Sequence, residues 1–235
     1  IELGSELFVV DHSKTQISSF TLDGTVFDFG EYKNIYIPLL GEYQPFNASN
    51  VLTAIDILRS LDISIPSEAI YGGLAFVKWH ARFEILSKNP LIIADGGHNP
   101  QGVKSAVDSV KGYFKDEKIN VISGVMADKD YTHMVSRMAE VAARAFCVRP
   151  ANDRALDPAK YAETFRAMGV PAEGYATVAE GVRAAMEVAK EIAEMYPPSV
   201  WASKMVITEG EKEVQDVVDI SDRMRIKGNR VLLAD

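Results

Sequence analysis

The sequence predicts an α/β protein: a mostly parallel, doubly wound sheet flanked by helices in residues 79–235, preceded in residues 1–78 by a smaller unit in which strands come before helices. Three observations predict it. After residue 90, apolar runs of strand length alternate with amphipathic stretches of helical period, as in a parallel sheet with crossover helices. Before residue 75 the order is strands, then helices. Near the start of the second unit, Ile93-Ala94-Asp95-Gly96-Gly97-His98-Asn99-Pro100 passes from an apolar strand through a polar turn into a helix. Open parallel sheets present their chemistry at such strand ends.

In the first unit, Leu7 to Val10, Gln16 to Leu22, Thr25 to Phe29 and Ile35 to Leu39 read as strands, with Asp23-Gly24 as a two-residue hairpin turn. In the run from Asn47, residues Val51, Ala54, Ile55 and Leu58 recur at helical spacing, and Pro66-Ser67-Glu68-Ala69 opens a second, short helix. Gly72-Gly73 then predicts a break, with Leu74 to Ala81 as the linker.

In the second unit, strands are expected at Leu91 to Ala94, Asn120 to Val125, Ala145 to Val148 and Met205 to Thr208. The helices expected between them run from Gln101 to Phe114, Tyr131 to Arg144, Pro158 to Met168 and Ala179 to Met195. Asn99 caps the first of these and Pro100, which has no amide proton to leave unpaired, takes its first position. Val103, Ala106, Val107 and Val110 give that helix one apolar face; Met134, Val135, Met138 and Val141 do so for the next.

Composition limits the function classes. The 235 residues are 47% hydrophobic, enough for a sizeable core, and the formal net charge is −8. That charge, without a basic stripe, argues against a nucleic-acid partner held by phosphate neutralisation. The single cysteine, Cys147, lies in the apolar run Ala145-Phe146-Cys147-Val148; it reads as a core residue and excludes an intrachain disulfide. No apolar run approaches the roughly 20 residues of a spanning helix, and no signal pattern opens the chain. A cytoplasmic monomer with no membrane partner is expected. The chain begins with Ile1 and enters at once into an apparent strand, so a fragment of a longer chain is also expected.

Asp95 and His98, three residues apart across a glycine pair, are expected to aim outward and can converge on one small volume. They can serve as an acid/base pair, as metal ligands or as ligand-positioning groups; the structural alternative is a turn cap beside a solvated histidine. A metal would need further ligands, and His12, His80 and His133 show no ligand spacing, so no metal site is assigned. Helix N-terminal amides at this edge favour an anion. Gly124-Val125-Met126-Ala127-Asp128-Lys129-Asp130 ends the next strand at the same edge, where Asp128 and Asp130 also read as ordinary helix-entry residues. Arg154, after the third strand, suits a carboxylate or phosphate, or simply the surface. Arg82 can swing from the linker onto a ligand held between two domains, or serve a structural ion pair. Neither a Gly-x-x-x-x-Gly-Lys-[Ser/Thr] phosphate loop nor a Gly-x-Gly-x-x-Gly fingerprint occurs.

Five segments in order resemble the later portion of the folylpolyglutamate synthase/dihydrofolate synthase family of the Mur ligase superfamily. Pro38-Leu39-Leu40-Gly41-Glu42-Tyr43-Gln44-Pro45-Phe46-Asn47-Ala48 is similar to the family's leucine-glycine-x-x-glutamine-x-x-asparagine-alanine segment. Trp79-His80-Ala81-Arg82-Phe83-Glu84 resembles its tryptophan-proline-glycine-arginine-phenylalanine-glutamate linker, with Ala81 where the family has glycine and His80 where it often has proline. Asp95-Gly96-Gly97-His98-Asn99-Pro100 resembles its aspartate-glycine-alanine-histidine-asparagine-proline turn, and the segments Gly124 to Asp130 and Asn152 to Leu156 match two later blocks.

The resemblance implies a Rossmann-like glutamate-ligase domain in residues 79–235 and, in residues 1–78, the strand-and-helix tail of a truncated central ATPase domain. It implies ATP-dependent addition of L-glutamate to tetrahydrofolate through an acyl phosphate, with dihydrofolate synthesis as a second activity of the same kind. Asn47 would contact the adenine; Arg82, Asp95 and His98 would close onto ATP, with Asp95 and His98 as the catalytic pair. The phosphate loop and the Mg2+ ligands would belong to an N-terminal ATPase region before Ile1, so the fragment alone is expected to be inactive. The end of the chain, from Lys204 on, lacks the family's closing glycine-serine-leucine strand. The rival expectations are another amino-acid ligase of the Mur superfamily and a non-catalytic nucleotide-binding module.

Overall fold

The computed structural model describes residues 4, 6–88, 90–195, 205–207 and 232–233. The chain forms two compact units, residues 1–78 and 79–235.

The first unit is an antiparallel meander followed by two helices. Strands β1 (Thr15–Thr21), β2 (Gly24–Phe29) and β3 (Tyr32–Ile37) lie in that order. The hairpin turn sits one residue earlier than expected: Thr21 pairs with Gly24, leaving Leu22-Asp23 as the turn. Gly24 is needed in the strand, because at φ +136° it lies under the Tyr36 ring, where a Cβ would come within 2.5 Å. Helix α1 (Gln44–Ser60) starts three residues before Asn47, with Pro45 in its first turn. Its Ala48 and Leu52 close a core with Phe27, Ile35, Ile37 and Ile70. Two expectations fail here. Leu7 to Val10 is in neither sheet, and Leu7 and Val9 are 71% and 80% exposed. Asp11 accepts from the Ser13 N–H and hydroxyl and caps a short 3-10 turn, His12–Lys14, so pairing begins only at Thr15. Gly72-Gly73 does not break the chain but lies inside helix α2 (Ser67–Ala75), where the Phe76 N–H still donates to the Gly72 carbonyl.

The second unit has the expected α/β architecture. Its sheet runs β4 (Glu84–Lys88), β5 (Leu91–Ala94), β9 (Met205–Ile207), β6 (Ile119–Ser123), β7 (Ala142–Val148), β8 (Ala172–Tyr175), with β10 (Leu232–Leu233) also paired to β6. All pairings are parallel except β4 with β5. Every residue of β5 and β6 is buried, which is why β5 reads as a continuous apolar run.

Helices cover both faces. Ile122 packs with Val182, Ala185 and Met186 of α6 (Val178–Met195). Its neighbour Val121 points the other way, sharing a cavity with Val103 and Val107 of α3 (Pro100–Phe114) and with Met138 of α4 (Tyr131–Met138). Ser123 meets Tyr161 of α5 (Pro158–Ala167) on that same side. The helices preceding β6 and β9 thus lie on opposite faces, placing a topological switch point at the carboxyl ends of β5, β9 and β6. No helix among the described residues is long and apolar enough to cross a membrane.

Two features of this unit depart from expectation. The helix expected to reach Arg144 ends at Met138, and Ala142 is already paired with Ile119. Sheet pairing there overrides the helical propensity of an alanine-rich segment. β4 and β8 carried no readable signal; β8 contains Gly174, where a Cβ would stand 2.7 Å from the Pro158 carbonyl carbon. The strand expected to reach Thr208 is seen to Ile207, Thr208 lying outside the described residues.

Candidate functional site

The site is built at the end of β5. Asn99 caps α3 by accepting the Gly102 N–H at 2.8 Å, and Pro100 follows in the first turn. Gly97 and Gly102 pack backbone to backbone beneath the turn. Asp95, 4% exposed, is not turned outward: its Oδ2 accepts the Phe83 N–H at 3.0 Å.

The linker is bound to this turn by further bonds. The Gly96 N–H donates to the Ala81 carbonyl at 2.8 Å, and Arg82 Nη1 donates to the same oxygen at 3.0 Å. Glu84 accepts the Ala81 N–H at 2.9 Å and lies 2.9 Å from His80 Nδ1. Ala81 and Phe83 both have φ of +52°, in the left-handed region. That conformation explains the family's glycine at position 81, since a Cβ there costs about 1–2 kcal/mol. The Phe83 ring is fully buried and stacks on Tyr113 at a centroid distance of 5.4 Å.

Arg82 and His98 are both exposed. The Arg82 guanidinium lies on Gly96, where a Cβ would stand 2.3 Å from Nη1. His98 Nδ1 is 3.1 Å from the Gly96 carbonyl, which also accepts the His98 N–H at 2.9 Å. A carbonyl can only accept, so the proton of this contact sits on Nδ1 and Nε2 is left for another partner. Gly96 therefore meets both groups, its Cα position lying against the Arg82 guanidinium and its carbonyl against His98 Nδ1.

The later loops form a second cluster at the same edge. The Ala127 N–H donates to the Arg154 carbonyl and the Leu156 N–H to the Val125 carbonyl, both at 2.8 Å. Arg154 lies 3.5 Å from Asp128, with both side chains more than half exposed, so this is a weak, screened pair. Cys147 is fully buried, and burial pushes its thiol up to about 12. Among the described residues no group of three or more His, Cys, Asp or Glu side chains is gathered to hold a metal ion. Asn47 lies in the first unit, exposed, with its side-chain amide donating to Gln44 Oε1 at 3.2 Å.

Sequence reasoning missed the parts played by Phe83 and Gly96. Only the glycine that the family keeps at position 81 hinted at the left-handed linker.

Residues 81–195 match the family described as Mur ligase, glutamate ligase domain. The folylpolyglutamate synthase of Lacticaseibacillus casei is 36% identical over 134 residues, 56% of this chain and 31% of that protein. The chain is similar to the folylpolyglutamate synthase/dihydrofolate synthase family of the Mur ligase superfamily. A second relative, the dihydrofolate synthase/folylpolyglutamate synthase of Bacillus subtilis (strain 168), is 31% identical over 112 residues, 47% of this chain and 26% of that protein. The fold is that of Mycobacterium tuberculosis folylpolyglutamate synthase solved with ADP, with a TM-score of 0.71 at 22% identity, covering 92% of this chain and 49% of that one. The chain thus spans about a third or less of these curated relatives and about half of the solved chain.

Proposed function

We propose that this chain is the glutamate-ligating part of an enzyme that joins L-glutamate to a folate, tetrahydrofolate above all, with ATP as the second substrate. The observation that carries the proposal is the seating of Arg82 and His98 on Gly96, both exposed, at the N-terminus of α3 and the carboxyl end of β5.

A carboxylate is a poor electrophile. In the proposed reaction a folate carboxylate oxygen attacks the γ-phosphorus of ATP, the bond to the ADP oxygen breaks, and an acyl phosphate forms. The glutamate amine then attacks the acyl carbon, phosphate leaves with the bonding pair of its C–O bond, and the amine loses a proton. Arg82 supplies a fixed positive charge and paired donors for phosphoryl oxygens. His98 presents Nε2 as a hydrogen-bond acceptor or, protonated, as a second donor. Asp95 completes this wall of the site, and Asn47, on α1, contacts the adenine. Exclusion of water from the occupied site would protect the acyl phosphate from hydrolysis.

Mg2+ is proposed for the complete enzyme, where it would offset charge on the transferring phosphoryl group. Its ligands are proposed to come from an N-terminal ATPase region of the same polypeptide. The phosphate loop, absent from the 235 residues, is placed there too. By itself the 235-residue chain is proposed to be inactive.

The test is product identity. The complete gene product, given ATP, Mg2+, L-glutamate and tetrahydrofolate, should form folate lengthened by one glutamyl residue and release one phosphate per bond. Phosphate release without a glutamylated folate would reject the reading, as would ligase activity from the 235-residue chain for its inactivity.

A further inference from the structure

Helix α1 has a face that its surroundings leave bare. Asp56 and Arg59 are its only charged residues, and both turn toward β3 and the chain between α1 and α2: Asp56 accepts the Tyr32 hydroxyl, while Arg59 donates to the Ile65 carbonyl and to Tyr32. On the side away from the buried Ala48 and Leu52, residues Asn47, Val51, Ala54 and Leu58 follow one another at intervals of four, three and four, and Leu61 continues the stripe at the helix end. All five are exposed. A helix face turned to water ordinarily carries charged side chains, whereas this one carries none over about 21 Å of helix axis. Exposed apolar surface is also unevenly shared between the units. Among the described residues, Trp79 and Met168 are the exposed large apolar side chains of the second unit, and all the others lie in the first, which is half as long. Contiguous apolar surface of this kind marks a place where another surface sits.

We propose that this face of α1 is the docking surface for the phosphate-loop-bearing region of the same polypeptide. The proposal rests on the ligase reading and deepens it. The relatives have the length to supply the occupant, since this chain spans about a third or less of the curated ones and about half of the solved one. Asn47 heads the stripe, so an element laid along the stripe brings the nucleotide to the residue given the adenine contact. Where the occupant meets Val51, Ala54 and Leu58 it is apolar, because a charge buried there would find no partner on α1. A stripe of four turns with a mean interval of about 3.5 residues suits a packed helix or a buried strand, not a small ligand. A second copy of the chain in the same place would bury Asn47 and shut out the adenine.

The test is the reactivity of Ala54→Cys with a maleimide, compared between the 235-residue chain and the complete gene product. Native Cys147 is buried and stays unlabelled in the fold. Ala54→Cys should label as an exposed thiol in the 235-residue chain and at least about tenfold more slowly in the complete gene product, with peptide mapping to place the label. Glu163→Cys, exposed on α5, is the control and should label alike in both. Equal rates for Ala54→Cys in the two proteins overturn the proposal, as does a gene product that begins at Ile1. Protection already present in the 235-residue chain overturns it too, and protection that grows with protein concentration gives the face to a second copy. Leu58→Cys decides in the same way should Ala54→Cys not fold. The ligase reading fails on a different observation. A complete gene product that protects Ala54→Cys but forms no glutamylated folate keeps the docking surface and loses the ligase reading; one that forms glutamylated folate with Ala54→Cys unprotected loses only the docking surface.

Discussion

Gly97 and Gly102 face each other across the first turn of α3 so closely that a Cβ on Gly97 would stand 2.9 Å from the Gly102 carbonyl carbon, and one on Gly102 would stand 2.9 Å from Gly97 Cα. The related family carries alanine at the first of these positions, so this chain has a tighter turn than its resemblance implied. A Cβ on Gly97 would also come within 3.0 Å of Asp95 Oδ1. Gly97→Ala should therefore cost about 1–2 kcal/mol, as overpacking against backbone does. Urea unfolding measures it; a change below about 0.3 kcal/mol would show that the turn relaxes freely.

Ala81→Gly should do the opposite. Relief of the left-handed conformation, about 1–2 kcal/mol, exceeds the extra unfolded-state entropy of glycine, about 0.4–1 kcal/mol. A net gain of about 0.5–1 kcal/mol is expected in the same unfolding experiment. Lower stability would mean that Ala81 is not held at φ +52° in solution.

How far the site could be read from sequence follows from these two positions. The passage from β5 through Asn99 and Pro100 into α3 was legible because burial, cap chemistry and helical period agree there. β8 was not, because Ala172-Glu173-Gly174-Tyr175 has neither alternation nor β-branched residues and is a strand only through its pairing with β7. The inward turn of Asp95 was missed for a related reason. It depends on positive φ at Ala81 and Phe83, which no local propensity announces in residues that carry a Cβ.

The buried Ser123 and Tyr161 hydroxyls lie 3.0 Å apart between β6 and α5. Tyr161→Phe removes that bond while leaving the ring packed against Phe165, so a loss of about 1 kcal/mol is expected. A variant as stable as wild type would mean that the bond adds nothing over solvation in the unfolded chain.

Alkaline pH should destabilise the fold through buried acids. Burial pushes the Cys147 thiol from its ordinary 9.0 up to about 12, and pushes the Tyr161 phenol up as well. Both are neutral when protonated, so above pH 9 the unfolded chain releases protons that the folded chain retains. Stability from Cys147 is complete below about pH 9 and is lost as pH rises toward about 12. The urea midpoint should fall between pH 9 and 11, and Cys147→Ala should make that fall shallower. An equal slope in the variant would count against the thiol.

The most direct measurement of the central claim is kcat/KM of the complete enzyme with ATP, comparing wild type with Arg82→Ala and His98→Ala under saturating L-glutamate and tetrahydrofolate. A loss of about a hundredfold in each, equivalent to about 2.7 kcal/mol of transition-state stabilisation, is the predicted result and puts the Gly96 seat in the active site. Variants that turn over as fast as wild type would contradict it and leave the turn a structural device.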